Sequence, residues 1–290
     1  MDMKGSIAAI KDAITKSTAE RTSPEVISAA YAVVYLIGGV LLASARLLGA
    51  AGPFGMAAVA ASGAGLNGVA ALIGAAIGYI ISCGLAGSIR YLAAIVLVYT
   101  ISFAFQDTKF ASKSVFAPAT AAVSALSTGI LSSFTSVFTQ APAAAVVLIE
   151  TVFSFGGCWF FREAMSGRER TTESEELRYA GSVLITAAVL LMAVSQIEIF
   201  GAISLGRLVA VLIVMTCTLR CGIMTGCTIG TAFGIAMDLT AGGMPFYTMA
   251  YAFAGLLSGM FNRHGRLLFL LSFIIANAAA VACALSLIHI

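Results

Sequence analysis

Six ionisable side chains lie within or at the ends of long apolar runs: Arg46, Glu150, Glu198, Arg207, Arg220 and Asp238. A charge in hydrocarbon is costly unless it is paired, hydrogen-bonded or wetted, so each is a candidate for an ion or proton pathway or for a buried structural bond. Arg46, Arg207 and Arg220 fall within a turn or two of a run's end, where a long side chain reaches the interface. Glu198 also sits at an end. Glu150 stands mid-run in Val147-Leu-Ile-Glu-Thr-Val-Phe153 and is expected to face a bundle interior or a cavity, as part of a buried hydrogen bond or ion pair, or as an ion or proton site. Asp238 is nearer a turn, where it is expected to accept backbone N–H bonds from the Thr240 to Gly243 loop.

Other chemistry is not indicated. Cys217 and Cys221 share a helical face with Cys227 beyond them, but no histidine or further cysteine is near, so they read as packing thiols and not as metal ligands. His264 and His289 are isolated. No nucleophile with a base, phosphate-binding loop or dinucleotide fingerprint is found, so no catalytic, metal or cofactor site is expected in this chain.

The elements that must position these residues are membrane helices. The chain has 290 residues, of which 60% are hydrophobic and 10% charged. That composition lies outside the range of soluble domains. Lipid solvates no backbone polar group, and apolar runs of roughly 18 residues or more argue for helices over a barrel. The expected fold is all-α, a polytopic bundle of about ten spanning helices. A net charge of +3 without a basic stripe gives no support to a nucleic-acid partner.

Residues 1 to 23 carry Lys4, Lys11, Lys16 and Arg21 and are expected to be cytoplasmic, either as an interfacial helix or as a frayed tail. Ser23-Pro24 should start the first span, within a membrane domain over 24 to 287. Residues 54 to 82 are interrupted by Gly63, Gly65, Asn67 and Gly68, which predicts two short helices or one broken one, as a packing surface or the lining of a site. Further spans are expected at 90 to 106, 114 to 138 and 143 to 161, the last two hinged at Gln140-Ala141-Pro142. A charged cytoplasmic loop occupies 162 to 178, with a capping box at Thr172 and Glu175; it is a solvated connector or a docking surface. Spans at 180 to 197, 205 to 219, 221 to 239, 246 to 261 and 267 to 287 complete about eleven candidate segments. An odd number puts the C-terminus outside unless one segment does not cross or the chain is truncated, and the apolar ending Leu285-Ser-Leu-Ile-His-Ile290 fits truncation.

One stretch, Gly234 to Phe261, predicts a tight hairpin turning through Gly242-Gly243-Met244-Pro245. Gly226, Gly230 and Gly234 lie four apart on one helical face, Ala250, Ala254 and Ser258 offer a matching face, and Gly242 and Gly243 at the turn join them as candidates for close packing. At Gly52-Pro-Phe-Gly-Met-Ala57, at Ile89-Arg-Tyr-Leu-Ala-Ala94 and across Gly234 to Gly259, the chain resembles the N-terminal membrane region of the stage II sporulation protein E family. The resemblance covers most of residues 28 to 287. It implies a membrane domain of about ten helices that anchors, localises and self-associates at the asymmetric septum beside cell-division proteins. In full-length members of that family a PPM-type serine/threonine phosphatase follows and dephosphorylates an anti-anti-sigma factor, with manganese expected only in that domain. No residue of this chain matches a phosphatase motif. The rival expectation, from Glu150, Asp238 and the interrupted 54 to 82 stretch, is a small-solute or ion transporter.

Overall fold

The computed structural model describes residues 24–134, 144–167, 170–199, 203–242 and 245–288. The N-terminal segment 1 to 23, the 140–142 hinge, Arg168, Glu169, Gly243, Met244 and His289 lie outside the described residues. Ten helices are present among them: α1 (Pro24–Ser44), α2 (Phe54–Ser62), α3 (Leu66–Phe105), α4 (Phe116–Phe134), α5 (Ala144–Ala164), α6 (Glu173–Val194), α7 (Leu205–Cys221), α8 (Ile223–Ala241), α9 (Phe246–Met260) and α10 (Arg266–Ile288). A two-residue ribbon, β1 (Glu198–Ile199) against β2 (Ile203–Ser204), joins α6 to α7. The fold is all-α, and among the described residues six helices are long and apolar enough to cross a membrane: α1, α3, α5, α6, α8 and α10.

Helix α3 is bent double. At Gly84 the backbone takes φ 68 and ψ 170, a conformation that residues with a Cβ rarely adopt. Tyr79 and Tyr91 would be ~18 Å apart along a straight helix, yet their rings stack at 4.7 Å. Likewise the Tyr99 hydroxyl reaches back to the carbonyl of Ala64. Residues 66–83 and 85–105 are therefore two antiparallel limbs turning on one glycine. The sequence expectation of a span beginning at Arg90 is corrected accordingly: Arg90 lies inside the second limb. Gly222 (φ 87, ψ −170) makes the same kind of reversal between α7 and α8.

The remaining connections alternate in direction. Arg162 on α5 donates to the carbonyl of Ser114 just before α4, Arg178 on α6 pairs with Glu163 at 3.2 Å, and Gly206 on α7 packs on Leu191 and Ser195 at the end of α6. Together with the α8–α9 hairpin and the short link to α10, this alternation brings Ile288 to the end of the bundle opposite Pro24. The charged loop is tied to its surroundings, since Arg170 lies over the Tyr179 ring and the Thr172–Glu175 capping box opens α6 as expected.

The α1–α3 seam shows why glycine is abundant here. Without a hydrophobic drive between helices in lipid, association relies on close backbone approach. A Cβ at Gly39 would fall 2.6 Å from the Ala71 carbonyl oxygen, and one at Gly78 would fall 2.9 Å from the Ala43 Cβ. The Gly74 and Gly78 positions meet Leu36 and Val40, so α1 and the first limb of α3 run parallel. Chain 45–65 must therefore return between them. It does so through the loop 45–53 and α2, nine residues of which Phe54 to Ala60 are buried. The 54 to 82 stretch is thus two helices broken at Gly63 and Gly65, which face open space, while Gly68, Gly74 and Gly78 sit at close backbone approaches.

Candidate functional site

The return segment poses a physical problem. Backbone N–H and C=O groups outside a helix have no partner in hydrocarbon and must be satisfied by protein. Residues 45–51 solve part of this with a tight turn, in which Leu47 N–H donates to Ala51 O (2.8 Å) and Ala50 N–H to Leu47 O (3.0 Å). Leu48 sits there at φ 52, a strained value for a residue with a branched side chain. Its N–H donates to the carbonyl of Leu239 on α8 at 2.7 Å, which joins the interrupted segment to the α8–α9 hairpin.

The rest is done by side chains from α3 and α5. Tyr79 donates to the Gly52 carbonyl (2.5 Å) and accepts from the N–H of Met56 (3.2 Å) at the start of α2. Ser154, one turn after Glu150 on the same face of α5, donates to the Pro53 carbonyl (3.2 Å). Glu150 accepts the N–H of Gly52 (3.2 Å) and the Tyr91 hydroxyl (2.6 Å). Arg90 then closes on the same carboxylate as a fork, at 2.6 and 2.7 Å. The Tyr91 ring lies between, stacked on Tyr79 and 4.4 Å from the Arg90 guanidinium carbon.

Glu150 is fully buried, and Arg90 retains 11% exposure. Oxygen Oε1 accepts three bonds and Oε2 one, so the carboxylate is engaged by cation, hydroxyl and backbone together. That arrangement offsets the desolvation of both charges, which an ion pair in a low-dielectric site otherwise fails to recover. Of the alternatives open in the sequence, the structure brings Glu150 into the buried ion pair. No group of three metal-ligating side chains occurs among the described residues.

Sequence reasoning missed Arg90, Tyr79 and Tyr91. The available signal was the rule that a mid-membrane carboxylate needs a named partner. It failed because Arg90 stood at what read as a segment end.

Asp238 is a cap, but for a different target than the sequence suggests. Its carboxylate accepts the N–H groups of Tyr247 and Thr248 (2.8 Å each) and the Thr248 hydroxyl (2.5 Å), all in the first turn of α9. The end of α8 is instead closed by backbone: Gly242, at φ 65, donates to the Asp238 carbonyl. Gly242 is thus a helix terminator and not a packing residue. Removing a capping carboxylate costs about 1–2 kcal/mol, and here the released N–H groups are also shielded from water. Asp238→Ala should therefore lower the thermal midpoint of the detergent-solubilised protein visibly, with Asp238→Asn falling between it and the parent.

The other candidates are dispersed. Arg207 lies over the Tyr247 ring at 4.8 Å. Arg46 donates to the Gly49 carbonyl at 3.2 Å and to the Cys83 sulfur. Glu198 is exposed in the ribbon, and Arg220 is exposed at the end of α7. Cys221 is exposed and Cys217 and Cys227 are half-buried.

The glycine face of α8 is where the sequence places it. Cβ atoms at Gly230 and Gly234 would overlap the backbone of Tyr251 and of Tyr247 and Thr248, and one at Gly226 would lie 2.8 Å from the Thr218 Cβ on α7. The matching positions of α9 are offset by one residue from those expected. Ala250, Ala254 and Ser258 are buried. The closest approaches fall instead at Gly255, where a Cβ would lie 2.5 Å from the Gly226 carbonyl oxygen, and at Gly259, where one would lie 2.7 Å from the Ile223 Cα.

The site and fold define a membrane-type helix bundle whose interrupted segment is clamped by a buried ion pair. No family model, curated protein or solved structure matches the chain.

Proposed function

We propose that this chain is a membrane-anchoring, localising and self-associating domain of the kind found in the stage II sporulation protein E family, acting at the asymmetric septum through packing and not catalysis. The observation that carries the reading is the α8–α9 seam. Its closest backbone contacts fall at Gly226, Gly230, Gly234, Gly255 and Gly259, mostly within the stretch that bears the resemblance. Six long apolar helices among the described residues suit a multi-pass membrane location, and the shorter α4, α7 and α9 count as further crossings in this reading. The described lysines and arginines of the 106–115, 162–178 and 261–266 connections lie at the Pro24 end, which supports a cytoplasmic side there by the positive-inside rule.

The transporter reading draws support from the interruption at 45–53. Against it, both intramembrane carboxylates are engaged by fixed donors, Glu150 by Arg90 and Asp238 by the start of α9. The test is localisation: a fluorescent fusion of this chain, expressed in an endospore-forming cell, should concentrate at the asymmetric septum. Uniform fluorescence around the membrane would sink the reading.

A further inference from the structure

The end of the bundle that holds the interrupted segment has few basic residues, and one of them, Arg90, is engaged by Glu150. Arg46 is different. Two of its nitrogens donate to the Gly49 carbonyl and the Cys83 sulfur, neither of which carries a full charge, and its Nε is buried with no hydrogen-bond partner among the described residues. Among the described residues no carboxylate lies within ion-pair distance of it. Of the acids at this end, Glu150 is closed by Arg90 and Asp238 by Tyr247 and Thr248, and Glu198, exposed in the ribbon, makes no ion pair with Arg46.

Arg46 follows the last residue of α1 closely, where helix carbonyls favour a cation. That explains why a guanidinium is tolerated there; with Nε buried, the donors left for a ligand are the second N–H groups of the two terminal nitrogens, each of which gives its other to Gly49 or Cys83. The neighbouring Leu48, Gly49 and Ala50 are exposed, so the site opens at the depth where a helix end meets lipid headgroups.

We propose that Arg46 binds the phosphate of an anionic phospholipid in the leaflet at this end of the bundle. A guanidinium presents paired N–H donors that match a phosphate's oxygens, and an unpaired cation at this depth meets headgroup phosphate before any other anion. Arg207, half-buried over Tyr247 and likewise without an ion-pair partner among the described residues, adds positive potential at the same end. Because the basic loops lie at the opposite end, binding here depends on local side chains, Arg46 first, and not on the protein's overall field.

The test uses the full chain in a neutral detergent, followed by native mass spectrometry and thermal unfolding with added phosphatidylglycerol or phosphatidylcholine. The parent should retain phosphatidylglycerol and be stabilised by it in preference to phosphatidylcholine. Arg46→Gln should weaken that binding about tenfold, equivalent to ~1.4 kcal/mol. Arg46→Lys, which keeps the charge and loses the fork, should fall between, and Arg220→Gln at the other end should match the parent. Unchanged phosphatidylglycerol retention by a folded Arg46→Gln protein would overturn the proposal. Stabilisation by inorganic phosphate alone, with no preference among lipids, would overturn the lipid assignment. Should Arg46→Gln fail to fold, the Arg46→Lys comparison decides, since equal binding by lysine removes the role assigned to the fork.

Discussion

Glu150→Ala is expected to destabilise the bundle by about 3–5 kcal/mol, the usual cost of removing one partner from a buried ion pair. The cost has three sources. The Arg90 guanidinium, at 11% exposure, keeps its charge and loses its counter-ion. The N–H of Gly52 loses its acceptor in a place where water cannot replace it, and the Tyr91 hydroxyl loses its shorter bond. Glu150→Gln should be milder for Gly52 and Tyr91, because an amide oxygen still accepts, but its NH₂ group would face the Arg90 donors. Replacing both Arg90 and Glu150 by leucine should recover the part that comes from the orphaned charge, and not the part that comes from the unsatisfied Gly52 N–H. Thermal unfolding of the four proteins in one detergent gives the cycle. If Glu150→Ala melts with the parent, the clamp has no structural role and the carboxylate must be explained otherwise.

The elements that the sequence reveals are those coded by local chemistry. Pro24 at the start of α1 and the Thr172–Glu175 box at the start of α6 are legible because a cap acts within a few residues of itself. The break after α2 is legible because three glycines within six residues stop a helix. Gly84 is not legible in the same way. It is one glycine in a long apolar run that also contains Gly74, Gly78 and Gly87, and nothing local distinguishes a glycine that reverses the chain from one that lets another helix approach. The misplacement of Arg90 follows directly from that. Asp238 shows the related limit: its residue type predicts a cap, but its target lies nine and ten residues ahead across a turn, a choice made by tertiary packing.

The second large effect is expected from Gly230→Leu with Gly234→Leu. A Cβ at Gly234 would lie 2.6 Å from the Tyr247 carbonyl oxygen and 2.7 Å from the Thr248 nitrogen, and one at Gly230 would lie 2.8 Å from the Tyr251 carbonyl carbon. These are backbone atoms of α9, so no rotamer change can relieve the overlap, and the helices must separate. Overpacking of one core position typically costs about 1–3 kcal/mol, and two positions on one seam act on the same displacement. Separation would also move the first turn of α9 away from Asp238, which breaks the cap, and would pull on Leu239, whose carbonyl holds the strained turn at Leu48. The damage should therefore travel to the interrupted segment. The check is protease sensitivity and thermal midpoint of the double variant, set beside Gly156→Leu, where the structure leaves open space. A Gly156→Leu protein as damaged as the seam variant would show that bulk alone, and not the α8–α9 contact, sets the loss.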